Sequence, residues 1–172
     1  SWYERLRLAK SLGFDFVELS IDETDERLAR LDWTKAQRKE IRDASFTLDM
    51  PILSMCLSAH RRYPLGSTDP CKQAHGLDIM QKAVDLAVDL GIRSIQLAGY
   101  DVYYEAKSIG TRHNFIKNLK KSVAIAANKS VVLSIEIMDD PFMNSISKFY
   151  DIKSQIPSPY LQVYPDLGNL SA

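Results

Sequence analysis

The chain has 172 residues, 45% of them hydrophobic, and its 22 basic residues balance 22 acidic ones. This length and composition are typical of a single globular domain, which we place at residues 1–172. Zero net charge argues against nucleic-acid binding, and no apolar run approaches the roughly 18 residues of a membrane span. Two cysteines are too few for a disulfide framework, and the opening SWYERLRLAK is not a signal peptide, so we expect a cytoplasmic protein.

Helical and strand patterns alternate along the chain, as the spacing of apolar residues and the Gly and Pro breaks indicate. In order, the predicted elements are a helix at 2–12, a strand at 14–21, a helix at 34–48, a strand at 51–58, a helix at 73–90, a strand at 93–99, a helix at 111–128, a strand at 131–138, a helix at 144–155 and a strand at 160–166. Strands that alternate with helices predict βαβ units and a parallel sheet.

Two further features favour a barrel over an open sheet. The segment LGFDFVEL at 12–19 matches LGIRSIQL at 90–97, which indicates a repeated helix-strand unit. No glycine-rich phosphate loop follows any predicted strand, which weakens the dinucleotide-binding version of an open sheet. We therefore expect an α/β fold of the (β/α)8 TIM-barrel type, with an open doubly wound sheet as the alternative.

The polar residues of the predicted strands share one face. In VVLSIEIM, strand alternation places Glu136 opposite the aliphatic face, and the same rule applies to Glu18, Gln96 and Asp166 in their own strands. In a closed parallel barrel that face points inward, and late strand positions lie near the carboxyl-terminal mouth. We therefore expect these four side chains to face a common interior.

Acids that converge on one interior repel one another unless their pKa values rise or a cation joins them. Glu136 and Asp166, on adjacent predicted strands, suit a divalent metal ion. The alternative is a polar barrel interior in which arginine and backbone donors satisfy these carboxylates.

The loop after the second predicted strand is basic. In CLSAHRRYPLGS, the consecutive residues His60, Arg61 and Arg62 follow the strand directly, where they could hold a phosphate through charge-assisted hydrogen bonds. The alternative is an ordinary solvated loop. The next loop, GYDVYY, supplies Tyr100 and two further tyrosines that could wall a sugar or simply pack the loop.

Four segments carry a resemblance to a known family. CLSAHRRYPLGS, IQLAGYDVYY, EIMD with MNSIS, and YPDLGNLSA resemble the L-xylulose-5-phosphate (L-ribulose-5-phosphate) 3-epimerases of bacterial L-ascorbate and related pentose catabolism, which are xylose-isomerase-like TIM barrels. The resemblance implies a divalent metal ion, zinc or manganese, with Glu136 in SIEIMD and Asp166 in YPDLGN as its first two ligands. It also makes Asn169 a candidate substrate contact. By analogy with such barrels, a homodimer is expected.

The resemblance also implies that this chain is part of a longer barrel. We expect it to contain strands two to six, with the first strand before Ser1 and the seventh and eighth beyond Ala172. The remaining metal ligands, a His and a Glu, would then lie beyond Ala172. We expect residues 1–172 alone to be inactive.

The chemistry of such an epimerase explains the residue types. In a 2-ketose 5-phosphate, the C3 proton is alpha to the carbonyl, and its removal gives an enediolate that a metal ion can stabilise. A base on one side removes the proton and an acid on the other returns it. Glu136 is the candidate base, and the resemblance implies a second glutamate from the eighth strand.

Three alternatives compete with this interpretation. The same superfamily contains sugar isomerases that move the carbonyl, and metal-dependent endonucleases that act on abasic DNA. Zero net charge and three histidines argue against the nuclease, which needs a basic surface and several His ligands. The third alternative is a non-catalytic fragment that binds a sugar phosphate.

Overall fold

The computed structural model describes residues 1–171, in which helices and strands alternate. The strands are β1 (Val17–Ile21), β2 (Ile52–Leu57), β3 (Ser94–Ala98), β4 (Val132–Glu136) and β5 (Leu161–Tyr164). The helices are α1 (Trp2–Ser11), α2 (Asp25–Leu28), α3 (Lys35–Thr47), α4 (Pro70–Leu90), α5 (Ile109–Ala127), α6 (Ile146–Lys153) and α7 (Leu167–Leu170). Within residues 1–171, none of these helices has both the length and the hydropathy that a bilayer crossing requires.

The five strands form one parallel sheet whose spatial order is the chain order, β1-β2-β3-β4-β5. Doubly wound sheets place some strands out of chain order and bind ligands where the order reverses. The consecutive order is instead that of a barrel wall, so the predicted partial (β/α)8 barrel is confirmed and the open doubly wound alternative is wrong.

The two faces of the sheet differ as strand alternation predicts. The outer face carries aliphatic side chains that are at most 4% exposed and belong to the core: Leu19, Ile21, Met55, Leu57, Ile95, Leu97, Leu133, Ile135 and Leu161. On the inner face, one row of paired residues runs Cys56, Gln96, Ser134 and Gln162 from β2 to β5. Burial of the aliphatic face against the helices drives the fold, and it leaves the polar face for the barrel interior.

Several element boundaries differ from the predicted ones for local reasons. β1 begins at Val17 rather than at residue 14, because Gly13 turns the chain with a φ of 82° and the Phe14 N–H donates to Ala9 in α1. α4 begins at Pro70 rather than at residue 73. Asp69 caps it by accepting from the Cys71 N–H, and proline is favoured in the first turn of a helix.

Some short elements were not predicted, and they follow strands. Helix α2 and the 3₁₀ turn Ala29–Asp32 follow β1, the 3₁₀ turn Ala59–Arg61 follows β2, and helix α7 follows β5. Each is too short to leave a periodic pattern of apolar residues. These elements shape the mouth at the carboxyl ends of the strands, and they set the directions of the side chains there.

Candidate functional site

Two carboxylates lie at the carboxyl ends of neighbouring strands. Glu136 is the last residue of β4, and Asp166 follows the end of β5 by two residues. In the sheet, Glu136 is paired with Ala98 of β3 and with Tyr164 of β5. Both acids therefore lie at the mouth of the partial barrel, the end at which enzymes of this architecture hold their active sites.

Glu136 lies in a polar cluster and is half-buried. Burial first, and then the negative charge of Asp166, raise the pKa of the Glu136 carboxyl above its usual value. The side chain of Gln96 and the positive charge of Arg61 oppose this rise, while the charge of Glu18 adds to it. Gln96, Arg61, Glu18 and Asp166 were all predicted site residues, and all of them act on this one carboxyl.

Asp166 and Asn169 are fixed by the first turn of α7. Asp166 caps the helix, since its Oδ1 accepts a hydrogen bond from the Asn169 N–H at 2.9 Å. The Asn169 Nδ2 donates to the carbonyl of Ile137 at 2.9 Å, which ties α7 to the end of β4. These hydrogen bonds hold the Asp166 turn beside Glu136, and the substrate contact of Asn169 stays a prediction.

The donor set at the mouth suits part of a divalent metal site. Glu136 and Asp166 offer carboxylate oxygens, which hard cations prefer, and they lie at the ends of the paired strands β4 and β5. Residues 1–171 contain no group of three or more His, Cys, Asp or Glu side chains arranged to hold a metal. The role of these two carboxylates as the first two metal ligands stays a prediction.

The barrel interior next to Glu136 is polar as well. Glu18 of β1 accepts a hydrogen bond from the Ser54 hydroxyl of β2 at 2.5 Å. Burial, followed by the charges of Glu18 and Glu136, raises the pKa of the Cys56 thiol to about 11. A thiol with this pKa stays protonated at neutral pH and is a poor nucleophile, so Cys56 is an inert part of the wall.

Arg61 is a cation at the mouth, close enough to Glu136 for its charge to act on that carboxyl. Its guanidinium lies 5.4 Å from the centre of the Tyr103 ring, and its Nη1 is 3.9 Å from the Glu23 carboxylate. Burial alone would lower the pKa of Arg61, but Tyr100 and Glu23 outweigh this effect and the pKa is raised. Its Nε is buried and has no hydrogen-bond partner within residues 1–171, so this side chain has donors to spare.

Arg62 points elsewhere. Its Nη1 donates to the Asp25 carboxylate at 2.6 Å, and its guanidinium lies 5.2 Å from the centre of the Tyr63 ring. The residue is exposed and contacts the β1–α2 loop through the Glu23 carbonyl. The structure therefore separates two neighbouring arginines that the sequence treated alike, and only Arg61 acts on Glu136.

His60 is held in the wall beside α4. Its Nε2 is 3.0 Å from the Gly76 carbonyl, to which it donates. Burial lowers the pKa of His60 to about 4, and the hydrogen bond to Gly76 opposes that change only in part. The imidazole is therefore neutral at physiological pH and contributes no positive charge for the anion binding that its position in the sequence suggested.

The lowered pKa of His60 predicts a pH-dependent stability. Between pH 6.5 and 4 the unfolded chain binds a proton at His60 that the folded chain rejects, so stability falls as the pH drops through this window. We expect a loss of less than about 1.4 kcal/mol per pH unit, since His60 is only partly buried. Urea unfolding at pH 7 and pH 4.5, followed by tryptophan fluorescence, measures this loss.

The matched variants are His60→Gln, whose amide can still donate to Gly76 but does not titrate, and His113→Gln at an exposed position on α5. His60→Gln should lose clearly less stability between pH 7 and 4.5 than the parent, whereas His113→Gln should follow the parent. Parallel pH curves for all three proteins would show that His60 is not buried in its neutral form.

The sequence did not single out three residues that the structure places at the mouth. Glu23 follows β1 by two residues and accepts a hydrogen bond from the Tyr104 hydroxyl at 3.2 Å. Tyr164 lies beside Glu136. Burial first, and then the charges of Glu18 and Glu136, raise the pKa of the Tyr164 hydroxyl. Gly99 packs against the backbone of Glu136. Strand alternation could have found Tyr164, but no local pattern marks Glu23 or Gly99.

Comparison with known proteins places the chain in a family. The family model described as xylose isomerase-like TIM barrel matches residues 6–172. L-ribulose-5-phosphate 3-epimerase UlaE of Shigella boydii serotype 18 is 57% identical over 171 residues, which are 99% of this chain and 60% of that protein. The chain therefore spans about 60% of the length of this curated relative.

Solved structures show the same fold at low sequence identity. D-psicose 3-epimerase with D-tagatose from Clostridium cellulolyticum H10 has a TM-score of 0.84 and 14% identity, over 99% of this chain and 60% of that one. A xylose isomerase-like TIM barrel protein from Mycobacterium smegmatis in complex with magnesium has a TM-score of 0.76 and 17% identity, over 98% and 57%. With the family model covering nearly all its residues, the chain belongs to the xylose isomerase-like TIM barrel family.

Proposed function

We propose that the full-length protein with this chain is a metal-dependent sugar-phosphate 3-epimerase that interconverts L-ribulose 5-phosphate and L-xylulose 5-phosphate. The observation that carries the proposal is the pair of carboxylates, Glu136 and Asp166, at the carboxyl ends of adjacent strands, close enough for Asp166 to raise the pKa of Glu136. The identity of 57% to a protein named L-ribulose-5-phosphate 3-epimerase supports this substrate.

Glu136 is the base in this proposal. Its carboxylate removes the proton from C3 of the ketose, a position made acidic by the neighbouring carbonyl, and the electron pair moves into the enediolate. Without a metal ion, burial and then Asp166 raise the pKa of the Glu136 carboxyl, which makes it a stronger base, and a bound cation would oppose that rise. An acid on the opposite side of the sugar then returns a proton to C3 with inverted configuration. We place that acid on a glutamate outside the described residues.

Glu136 and Asp166 would also be the residues of this chain that hold the divalent ion. When bound, such an ion supplies positive charge that stabilises the oxygens of the enediolate. Asp166 has one carboxylate oxygen engaged by the Asn169 N–H, and the cap holds its side chain at the mouth. Gln96 lies on β3, beside Glu136 of β4. In this proposal its side chain orients the Glu136 carboxylate or a hydroxyl of the substrate.

Arg61 is the substrate-binding cation of the proposal. Its side chain is 33% exposed, lies over Tyr103 and carries a charge that reaches Glu136, so an oxygen of the substrate can reach the exposed part of the guanidinium from the mouth. Tyr100 lines the same side of the mouth and interacts with Arg61. Glu18 completes the polar wall. His60 and Arg62 have structural partners, Gly76 and Asp25, and are weaker candidates for a direct contact with the phosphate.

The test is proton exchange at C3. We expect the full-length protein, incubated with L-ribulose 5-phosphate in D₂O, to incorporate deuterium at C3 and to form L-xylulose 5-phosphate, as NMR can follow. Chelation should abolish the exchange and added Mn²⁺ should restore it. An aldose product with label at another carbon would favour the sugar-isomerase alternative, and binding without any exchange would favour a non-catalytic sugar-phosphate protein.

A further inference from the structure

Glu23 joins three loops at the mouth. It lies in the β1–α2 loop, and its side chain is 25% exposed. The Tyr104 hydroxyl, from the β3–α5 loop, donates to its Oε1 at 3.2 Å. Arg61, from the turn after β2, brings its Nη1 to 3.9 Å from Oε2. Arg62 donates to the backbone carbonyl of Glu23 at 3.4 Å, so the loops after three consecutive strands meet at this one residue.

The same contacts enclose Arg61. Its guanidinium lies over the Tyr103 ring, which packs against Tyr100 at 4.8 Å and against Tyr104 at 4.7 Å between ring centres. The tyrosine that binds Glu23 is therefore also the end of the aromatic row beneath Arg61. The Glu23 carboxylate attracts the guanidinium of Arg61, and the Tyr103 ring packs against the face of that guanidinium.

An isolated ion pair at 3.9 Å on a protein surface contributes little. Here, however, the acid is itself held by a tyrosine hydroxyl, and the arginine is partly buried and stacked. An arginine side chain loses much conformational freedom when it is fixed, and fixing it before the substrate arrives removes that cost from binding. The arrangement is thus suited to hold Arg61 in a binding orientation.

We propose that Glu23, itself held by Tyr104, is a positioning residue that orients Arg61 for an anionic or hydroxyl oxygen of the substrate. This inference rests on the proposed function, because it takes Arg61 to contact the sugar phosphate. Glu23 acts through Arg61 and does not contact the substrate. Its carboxylate charge and the Tyr104 hydroxyl are both needed, since one attracts the guanidinium and the other fixes the carboxylate.

A double-mutant cycle tests the inference in the full-length protein with L-ribulose 5-phosphate. Glu23→Gln should raise KM about fivefold with kcat changed less than twofold, and Tyr104→Phe should act in the same direction. Arg61→Ala should raise KM more, by about tenfold or greater. In the Arg61→Ala background, Glu23→Gln should add no further change, because coupled residues are not additive. The same fivefold rise in both backgrounds would overturn the inference.

The matched controls are Glu26→Gln, at an exposed position in the neighbouring α2, and Tyr150→Phe on the exposed face of α6. Both should keep the parent KM. They separate the specific effect of Glu23 and Tyr104 from the general effect of removing a carboxylate charge or a phenolic hydroxyl.

A measurement without substrate separates this inference from the proposed function. The Nε–H signal of Arg61 in a ¹⁵N NMR spectrum, assigned by its loss in Arg61→Lys, should exchange slowly with solvent in the parent because Nε is buried. Glu23→Gln and Tyr104→Phe should shift this signal and speed its exchange, and Glu26→Gln should not. An unchanged signal refutes the positioning role. Absence of any epimerase activity in the parent refutes the proposed function instead.

Discussion

The Glu136→Gln variant of the full-length protein should fold normally and lose C3 proton exchange by at least about a hundredfold, the usual scale for a general base. Glutamine has the shape of glutamate but neither its charge nor its basicity. Because burial and Asp166 both disfavour the charge on Glu136, its removal should leave the melting temperature unchanged or slightly higher. Deuterium incorporation at C3 of L-ribulose 5-phosphate measures the first effect, and thermal unfolding of the metal-free protein measures the second.

The control for this variant is Glu40→Gln, at an exposed position on α3. It should exchange deuterium at the parent rate and melt at the parent temperature. If Glu136→Gln retained exchange within a few-fold of the parent, Glu136 could not be the base. If instead it lost activity together with several degrees of melting temperature, its carboxylate would have a structural role that its raised pKa does not suggest.

The second large effect should come from Gly99, which follows β3 and packs against the end of β4. A Cβ added to Gly99 would lie 2.3 Å from the backbone oxygen of Glu136, and 2.7 and 2.8 Å from two atoms of the buried Met143 side chain. Gly99→Ala must therefore displace the end of β4. We expect a loss of about 1–3 kcal/mol in the free energy of unfolding, as for overpacking of a core. We also expect activity to fall by as much as about a hundredfold, because the base is misplaced.

Gly110→Ala is the matched glycine control. A Cβ at Gly110, in the first turn of α5, would meet only the Ser108 hydroxyl, at 3.4 Å. Alanine is favoured over glycine in a helix by up to about 1 kcal/mol, so this variant should be as stable as the parent or slightly more stable. Equal melting temperatures for Gly99→Ala and Gly110→Ala would mean that the end of β4 can move freely and does not fix Glu136.

The sequence was sufficient to place the inner-face residues. Alternation along a strand depends only on the backbone, so Glu136 and Gln96 could be assigned to one face without any tertiary information. The sequence order of helices and strands likewise predicted the parallel barrel wall. Alternation could not predict where each element begins. Gly13 and Asp69 set local turns that shift the starts of β1 and α4 by three residues.

The mouth loops were harder to predict. Arg61 and Arg62 are adjacent in sequence, and only the 3₁₀ turn Ala59–Arg61 decides that one lies over Tyr103 and the other pairs with Asp25. Glu23 and Tyr104 are 81 residues apart and meet only because β1 and β3 lie on either side of β2. Contacts of this kind form only in the assembled barrel, and no local sequence pattern predicts them.

The helix cap at Asp166 has a consequence for cooperativity. One oxygen of its carboxylate is bound by the first turn of α7, so that turn and the orientation of the carboxylate form together. If Asp166 holds a cation in the full-length protein, ion affinity and the order of α7 become thermodynamically linked, and each strengthens the other. The Asn169 tether to Ile137 extends this linkage to the residue next to Glu136. Helix α7, only four residues long, would then couple local folding to ion binding.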